Sequence, residues 1–231
     1  MADGAQHFLD SFKDPAAVAR YTEGPRRFVP GLDGLHRMTG LLLAERVPEN
    51  AHILVLGAGG GLELRALAEA HPGWRFTGVD PAGPMLDLAA EVLGPDAHRA
   101  ELIEGYIDDA PEGPFDGATC LLTLHFLAAE ERIRTAAEIR RRLKPGAPFV
   151  AAHGSFPQGA SERGRWLDRY AAFAIASGGD PEQVAKGRQA VATHVAMLSP
   201  EDDEAVLCAA GFSGVEQFYA AFTWRGWVSY A

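Results

Sequence analysis

Between residues 52 and 156, short apolar runs alternate with helix-patterned stretches, and this rhythm restricts the fold more than anything else in the chain. HILVLG (52–57) reads as a strand, followed by LELRALAEAHP as a helix stopped by Pro72. WRFTGVD (74–80) reads as a second strand, followed by GPMLDLAAEVLG as a helix ending at Gly94. ELIEGY (101–106) is a short third strand, and FDGATCLLTLHFL (115–127) holds a buried fourth. AAEERIRTAAEIRRRL is an amphipathic helix, and PFVAAHGSF (148–156) follows as the fifth strand. Strands alternating with helices in this way predict a parallel sheet.

The rhythm then changes. Residues 160–197 read as two helices separated by SGGDP (177–181). Ser199 is placed to cap a further helix, with Pro200 at its first position and Gly211 beyond its end. VEQFYAAF and RGWVSYA lie a short turn apart and predict an antiparallel pair. The expected fold is therefore an α/β sheet of seven strands, parallel with an antiparallel C-terminal strand, with helices on both faces. We expect one domain over 1–231: a helical cap (1–50), an α/β core (51–155), inserted helices (156–198), and a last helix with the terminal strand pair (199–231). The cap over the site is expected from the N-terminus and residues 160–197.

The turn after the first strand, GAGGGLE, limits the ligand. Its glycines are Gly57, Gly59, Gly60 and Gly61, so the spacing is G-x-G-x-G. A dinucleotide fingerprint wants glycine where Leu62 stands, and a P-loop wants Lys and Ser or Thr after its second glycine. Glu63 there would repel a phosphate. The spacing thus points to a ligand without phosphates at the turn. Asp80 ends the second strand about 20 positions later, where an acid accepts hydrogen bonds from ribose hydroxyls. The same position suits a helix cap, with Pro81 at the first helical position.

The order LGAGGG, GVDP, EGYIDDAP, FDGATCLLTLHFL, LKPGAPFVAAH and a terminal aromatic strand pair resembles the class I S-adenosylmethionine-dependent methyltransferases over roughly residues 25–231. The resemblance implies a Rossmann-like doubly wound sheet, S-adenosylmethionine as cofactor and S-adenosylhomocysteine as product. It implies cofactor contacts from Gly57, Ala58, Gly59 and Gly61 under the methionine part and from Asp80 and Pro81 at the ribose. Met85, Tyr106, Ile107 and Leu121 complete the implied set, with Tyr106 and Ile107 flanking the adenine. Three positions depart from the pattern. Val55 stands where relatives carry an acid, Tyr106 follows the strand-three glycine where an acid is common, and Leu121 occupies a position often held by Asn or Asp. Asp108 or Asp109 offers a carboxylate from a shifted position. Weaker or rearranged polar contact with the cofactor is expected.

VPGLDGLHRMTGLLLAE, KGRQAVATHVAMLSPEDDEAVLCAAGF and GVEQFYAAFTWRGWVSYA are similar to the carboxy-S-adenosylmethionine synthase branch, chiefly in 28–45 and 186–231. That likeness implies a role for Arg188 toward a carboxylated cofactor, since arginine reads carboxylates through a charge-assisted fork. Leu32 stands where that branch places a tyrosine touching the cofactor. Plain methyl transfer to a small-molecule acceptor is therefore the expected activity. Its alternatives are a carboxy-S-adenosylmethionine synthase-like enzyme acting in tRNA modification, a non-catalytic protein of the same fold, and a nicotinamide-dependent oxidoreductase. The glycine spacing speaks against the last.

Methyl transfer from a sulfonium is an in-line displacement, so the protein mainly aligns the reactants and excludes water. A base is needed only where the nucleophile must lose a proton. His125 and His153, at the carboxyl ends of the fourth and fifth strands, are the candidates, with His194 in the insert behind them. Tyr21, Phe28, Trp166, Tyr170 and Phe173 are candidate walls of an apolar substrate pocket. No His or Cys spacing suggests a metal.

The formal charge of −10 argues against a broad nucleic-acid surface, and RRRLK (140–144) falls at a helix end, where cations complement the dipole. Two cysteines, Cys120 in an apolar run and Cys208, suit a reducing cytoplasm. No apolar run approaches a membrane span. The terminal strands and the inserted helices offer surfaces for a homodimer.

Overall fold

The computed structural model describes residues 9, 10 and 12–231; the part of the expected cap that falls on 1–8 and 11 lies outside the described residues. The N-terminal segment forms α1 (Pro15–Val18), α2 (Gly24–Phe28) and α3 (Leu32–Ala44). Asp14 caps α1 by accepting from the Ala16 amide, with Pro15 at the first helical position. Gly31 opens α3 at φ 70, a left-handed conformation that costs glycine little.

The core follows as β1 (His52–Leu56), α4 (Leu62–Ala70), β2 (Arg75–Asp80), α5 (Gly83–Leu93), β3 (Ala100–Glu104), β4 (Gly117–Leu121), α6 (Ala129–Arg141) and β5 (Pro148–Gly154). The inserted helices are α7 (Ala160–Ala176) and α8 (Pro181–His194), then α9 (Pro200–Ala209) and the pair β6 (Ser213–Ala221) and β7 (Trp224–Tyr230). Ser199 caps α9 as expected, accepting from the Asp202 amide at 3.2 Å.

The seven strands form one sheet in the order β3-β2-β1-β4-β5-β7-β6. β1 to β5 are parallel, and β7 runs antiparallel to both β5 and β6. Side chains alternate between faces along each strand. Ile53 and Val55 pack with Leu35 and Leu43 of α3, Leu64 and Leu67 of α4, and Ala89 of α5. Leu54 and Leu56 face the other way, with Ala136 and Ile139 of α6 and Leu207 of α9. The sheet is therefore covered on both sides. Burial of these apolar faces, worth about 25 cal/mol per Å² of surface removed from water, is what holds the layers together.

The order reverses between β1 and β4, because β1 leads outward to β2 while β4 starts the other half. In open α/β sheets a crevice opens beyond the carboxyl ends of the strands at such a point. β3 ends two residues before the sequence pattern suggests. Gly105, at φ 158, turns the chain, and the Tyr106 amide is taken by Asp109 Oδ2 at 2.8 Å. The chain also makes a 3-10 turn over Gly94–Arg99 that the pattern does not reveal. Its Arg99 guanidinium donates to the carbonyls of Ala68, His71, Pro72 and Trp74. Among the described residues no helix is long and apolar enough to cross a membrane.

Candidate cofactor site

β1 delivers the chain into Gly57, whose φ of 82 begins the turn. The Gly57 and Ala58 amides both donate to the Val79 carbonyl, at 2.8 and 3.2 Å, which ties the turn to the end of β2. Asp80 completes the tie. Its Oδ2 accepts from the Gly59 amide at 3.0 Å and its Oδ1 from the Ala82 amide at 2.9 Å. The carboxylate braces the turn and the approach to α5 while lining the cavity; α5 itself begins at Gly83 with Ala82 as its N-cap, so Asp80 does not cap it and Pro81 stands before its first turn. Each oxygen has spent one acceptor site and keeps another. Burial raises the Asp80 carboxyl above its ordinary value, and the two amides work against that.

The glycines are required by space as well as by conformation. A Cβ at Gly57 would lie 2.0 Å from Thr123 Oγ1, and one at Gly59 2.7 Å from Asp80 Oδ2. At Gly60 it would meet the Tyr21 ring at 2.3 Å. At Gly61 it would meet the Ala89 backbone at 2.7 Å, so this glycine serves helix packing.

Beyond the turn lies a cavity of about 500 Å³, within the range of small-molecule sites. Gly57, Gly59, Asp80, Pro81, Met85, Tyr106, Ile107 and Leu121 all line it. Ala58 is buried behind the turn and Gly61 beneath it. Tyr106 is partly exposed at the rim, while Ile107 is buried. Leu122 adopts φ 58, a left-handed conformation unusual for leucine, as the chain leaves β4 and swings Thr123 against Gly57.

The structure does not bring His125 or His153 to the cavity. Both are buried behind its wall. His125 stands edge-on to Trp224 at 5.6 Å, and its Nδ1 accepts from the Gly154 amide at 3.4 Å. Burial, then the neighbouring His153 and Arg132, hold it well below the usual imidazole value. His153 packs against Trp227 at 5.2 Å and approaches Asp203 Oδ1 to 3.1 Å. Arg188 does not line the cavity either. It lies on α8 and grips Asp168 of α7 through Nε at 2.9 Å and an Nη at 2.7 Å. Of the five candidate aromatics only Tyr21 lines the cavity. Phe28 stacks on Tyr170 at 5.4 Å, Phe173 meets Phe222 at 5.9 Å, and Trp166 lies under Arg169 and Arg225.

Residues with no signal in the sequence take those places. Phe12 stands between Tyr21 and Phe126, edge-on to each at 6.0 and 6.1 Å, and all three line the cavity with Leu9, Leu122 and Leu127. Burial, with the charges of Asp80 and Glu63, raises the Tyr21 phenol above its ordinary value, so it remains a proton donor. At the rim Arg134 is held by Asp108 at 3.0 Å and by Glu131 at 2.8 Å. Glu63 does not face a ligand: it is buried, and burial pushes its carboxyl up to about 7.

This geometry fits a cofactor with an adenosyl group. The turn is stripped of side chains where a ligand would press on it, an acid stands at the carboxyl end of β2, and Tyr106 and Ile107 follow β3. A family model described as a methyltransferase domain matches residues 53–146. The chain is 27% identical to the carboxy-S-adenosyl-L-methionine synthase of Chromohalobacter salexigens, over 94% of this chain and 82% of that protein. It superposes on an O-methyltransferase family protein from Burkholderia thailandensis with a TM-score of 0.69 at 14% identity, over 96% of this chain and 61% of that one. PigF, solved with SAH, superposes with a TM-score of 0.68 at 19% identity, again over 96% and 61%. The chain thus spans about three fifths of the length of these two solved structures. Turn, acid and strand order agree with the methyltransferase-domain match over 53–146 and with the likeness to S-adenosylmethionine-dependent enzymes.

Proposed function

We propose that this enzyme moves a methyl group from S-adenosylmethionine to an uncharged, largely apolar small molecule. The observation that carries the proposal is the state of its arginines. Arg134, the one arginine among the described cavity-lining residues, is bound by Asp108 and Glu131. Arg188 is bound by Asp168 outside the cavity. The remaining charges at the cavity, Asp80 and Asp109, are acidic. An anionic acceptor or a carboxylated cofactor would meet no free cation among these residues, and desolvating an unpaired carboxylate is costly. Leu9, Phe12, Leu122, Phe126 and Leu127 instead offer an apolar surface.

In this reading Gly57 and Gly59 let the backbone approach the methionine part, Asp80 receives the ribose hydroxyls, and Tyr106 and Ile107 hold the adenine beside Pro81, Met85 and Leu121. When bound, the cofactor supplies a methyl activated by its sulfonium charge. The chain's own residues exclude water and align the acceptor, with Tyr21 and Thr123 as hydroxyls at the wall. The N-terminal helices, core, insert and terminal strand pair act as one domain. A homodimer through the exposed Phe222 and Ile175 belongs to the same proposal.

A second reading has one observation in its favour. The curated relatives, the C. salexigens protein among them, are named carboxy-S-adenosyl-L-methionine synthase. Mass spectrometry of ligand released from the purified protein separates the two. The proposal expects S-adenosylmethionine or S-adenosylhomocysteine, and a carboxylated cofactor would overturn it.

A further inference from the structure

Arg132 stands in the first turn of α6 with its side chain fully buried. Its guanidinium turns back beneath the loop that follows β4. Nε donates to the Leu127 carbonyl at 2.9 Å, and one Nη donates to the His125 carbonyl at 3.2 Å and to the Ala196 carbonyl. The other Nη meets Asp203 Oδ1 at 2.5 Å. Asp203 lies on α9 and is itself only 1% exposed. Ala196 lies just beyond α8, where the insert rejoins the core.

One buried cation thus joins the loop at 125–127 to two points far along the chain, Ala196 and Asp203. Phe126 and Leu127 line the cavity, whereas Ala196 and Asp203 do not. A guanidinium taken fully out of water is costly unless its donors are used and its charge is paired. Here the carboxylate pairs the charge, and three further donors go to backbone carbonyls. A planar fork can hold several carbonyls at fixed angles, and a lysine ammonium cannot copy it. The neighbouring imidazoles are engaged away from those carbonyls. His153 approaches the oxygen of Asp203 that Arg132 uses, and the His125 ring nitrogen turns to Gly154.

We propose that Arg132 is a positioning residue, holding the cavity wall at 125–127 in fixed relation to the end of the insert at Ala196, with Asp203 as its anchor. Occupation of the cavity is then felt at the insert through this side chain. The proposal rests on reading the cavity as the site of methyl transfer.

Hydrogen–deuterium exchange on the full chain, with and without S-adenosylhomocysteine, tests it in wild type, Arg132→Lys and Asp203→Asn. Lysine keeps the charge against Asp203 and loses the fork; Asp203→Asn keeps the shape and loses the anchor. In each variant, exchange at 123–128 and 195–199 is expected to rise together by roughly tenfold, with β1 and β2 within about twofold of wild type. The added ligand is expected to slow both segments in wild type and only 123–128 in Arg132→Lys. A rise in one segment alone, no rise in either, or a uniform rise along the chain overturns the proposal. Failure of the ligand to slow 57–61 in wild type overturns the transfer-site reading instead, and the ligand-free variants still test the link between the two segments.

Discussion

Asp80 accepts the Gly59 amide at 3.0 Å, so the acid that ends β2 and the glycine turn that follows β1 form one unit. Its other oxygen takes the Ala82 amide, and the same carboxylate lines the cavity. Asp80→Ala removes a ribose acceptor and also frees the turn. Hydrogen bonds to a charged group are worth about 1.5–3 kcal/mol each, so the Kd for S-adenosylhomocysteine should rise roughly 10–100-fold. Asp80→Asn keeps one acceptor and should lose less. An Asp80→Ala variant that binds as tightly as wild type would refute the ribose assignment.

Glu63 makes stability depend on pH. Burial pushes its carboxyl up to about 7, whereas in the unfolded chain it titrates near its ordinary 4.5. Between these values the folded state holds the proton more tightly, so folding stability is full below the lower value and falls as pH rises through the higher one. The loss is of order 3 kcal/mol at most. Denaturant midpoints should drop from pH 5 to pH 8 in wild type, and Glu63→Gln should remove most of that slope. An unchanged slope in the variant would assign it to other groups.

Gly61 and Gly31 open helices at nearly the same φ, 69 and 70. A Cβ at Gly61 meets the Ala89 backbone at 2.7 Å, while one at Gly31 meets nothing within 4 Å. Both alanine variants incur the left-handed penalty of about 1–2 kcal/mol, and Gly61→Ala adds an overpacking cost of about 1–3 kcal/mol. Chemical denaturation should rank Gly61→Ala well below Gly31→Ala, and equal losses would mean that α4 and α5 are not packed this closely.

Arg188→Ala should leave the affinity for S-adenosylhomocysteine within about twofold, because its partner Asp168 is exposed and such a pair contributes about 0–1 kcal/mol to stability. A tenfold weakening by titration calorimetry would place Arg188 at the cofactor.

The sheet was legible because each strand and helix carries its own apolar period and its own stop signal. The turn and Asp80 were legible because both lie at strand ends that the same pattern locates. The histidines were not. His125 and His153 stand at strand ends where ligands bind in this architecture, but both are buried behind the wall, where Arg132 of α6 holds the His125 carbonyl and Asp203, from a helix far along the chain, meets His153. Helical spacing likewise does not say whether α7 reaches the cavity: no residue of 160–197 lines it, contrary to the expected cap, and Tyr170 and Phe173 pair with Phe28 and Phe222 instead. Phe12 reaches the cavity through a segment with too short a pattern to locate, and Arg188 is taken up by an acid on the neighbouring helix.

Titration calorimetry of the purified wild-type protein with S-adenosylmethionine and S-adenosylhomocysteine tests the central claim most directly. The account predicts saturable heat at one site per chain from both ligands, lost or much weakened in Asp80→Ala. No heat from either ligand would contradict it.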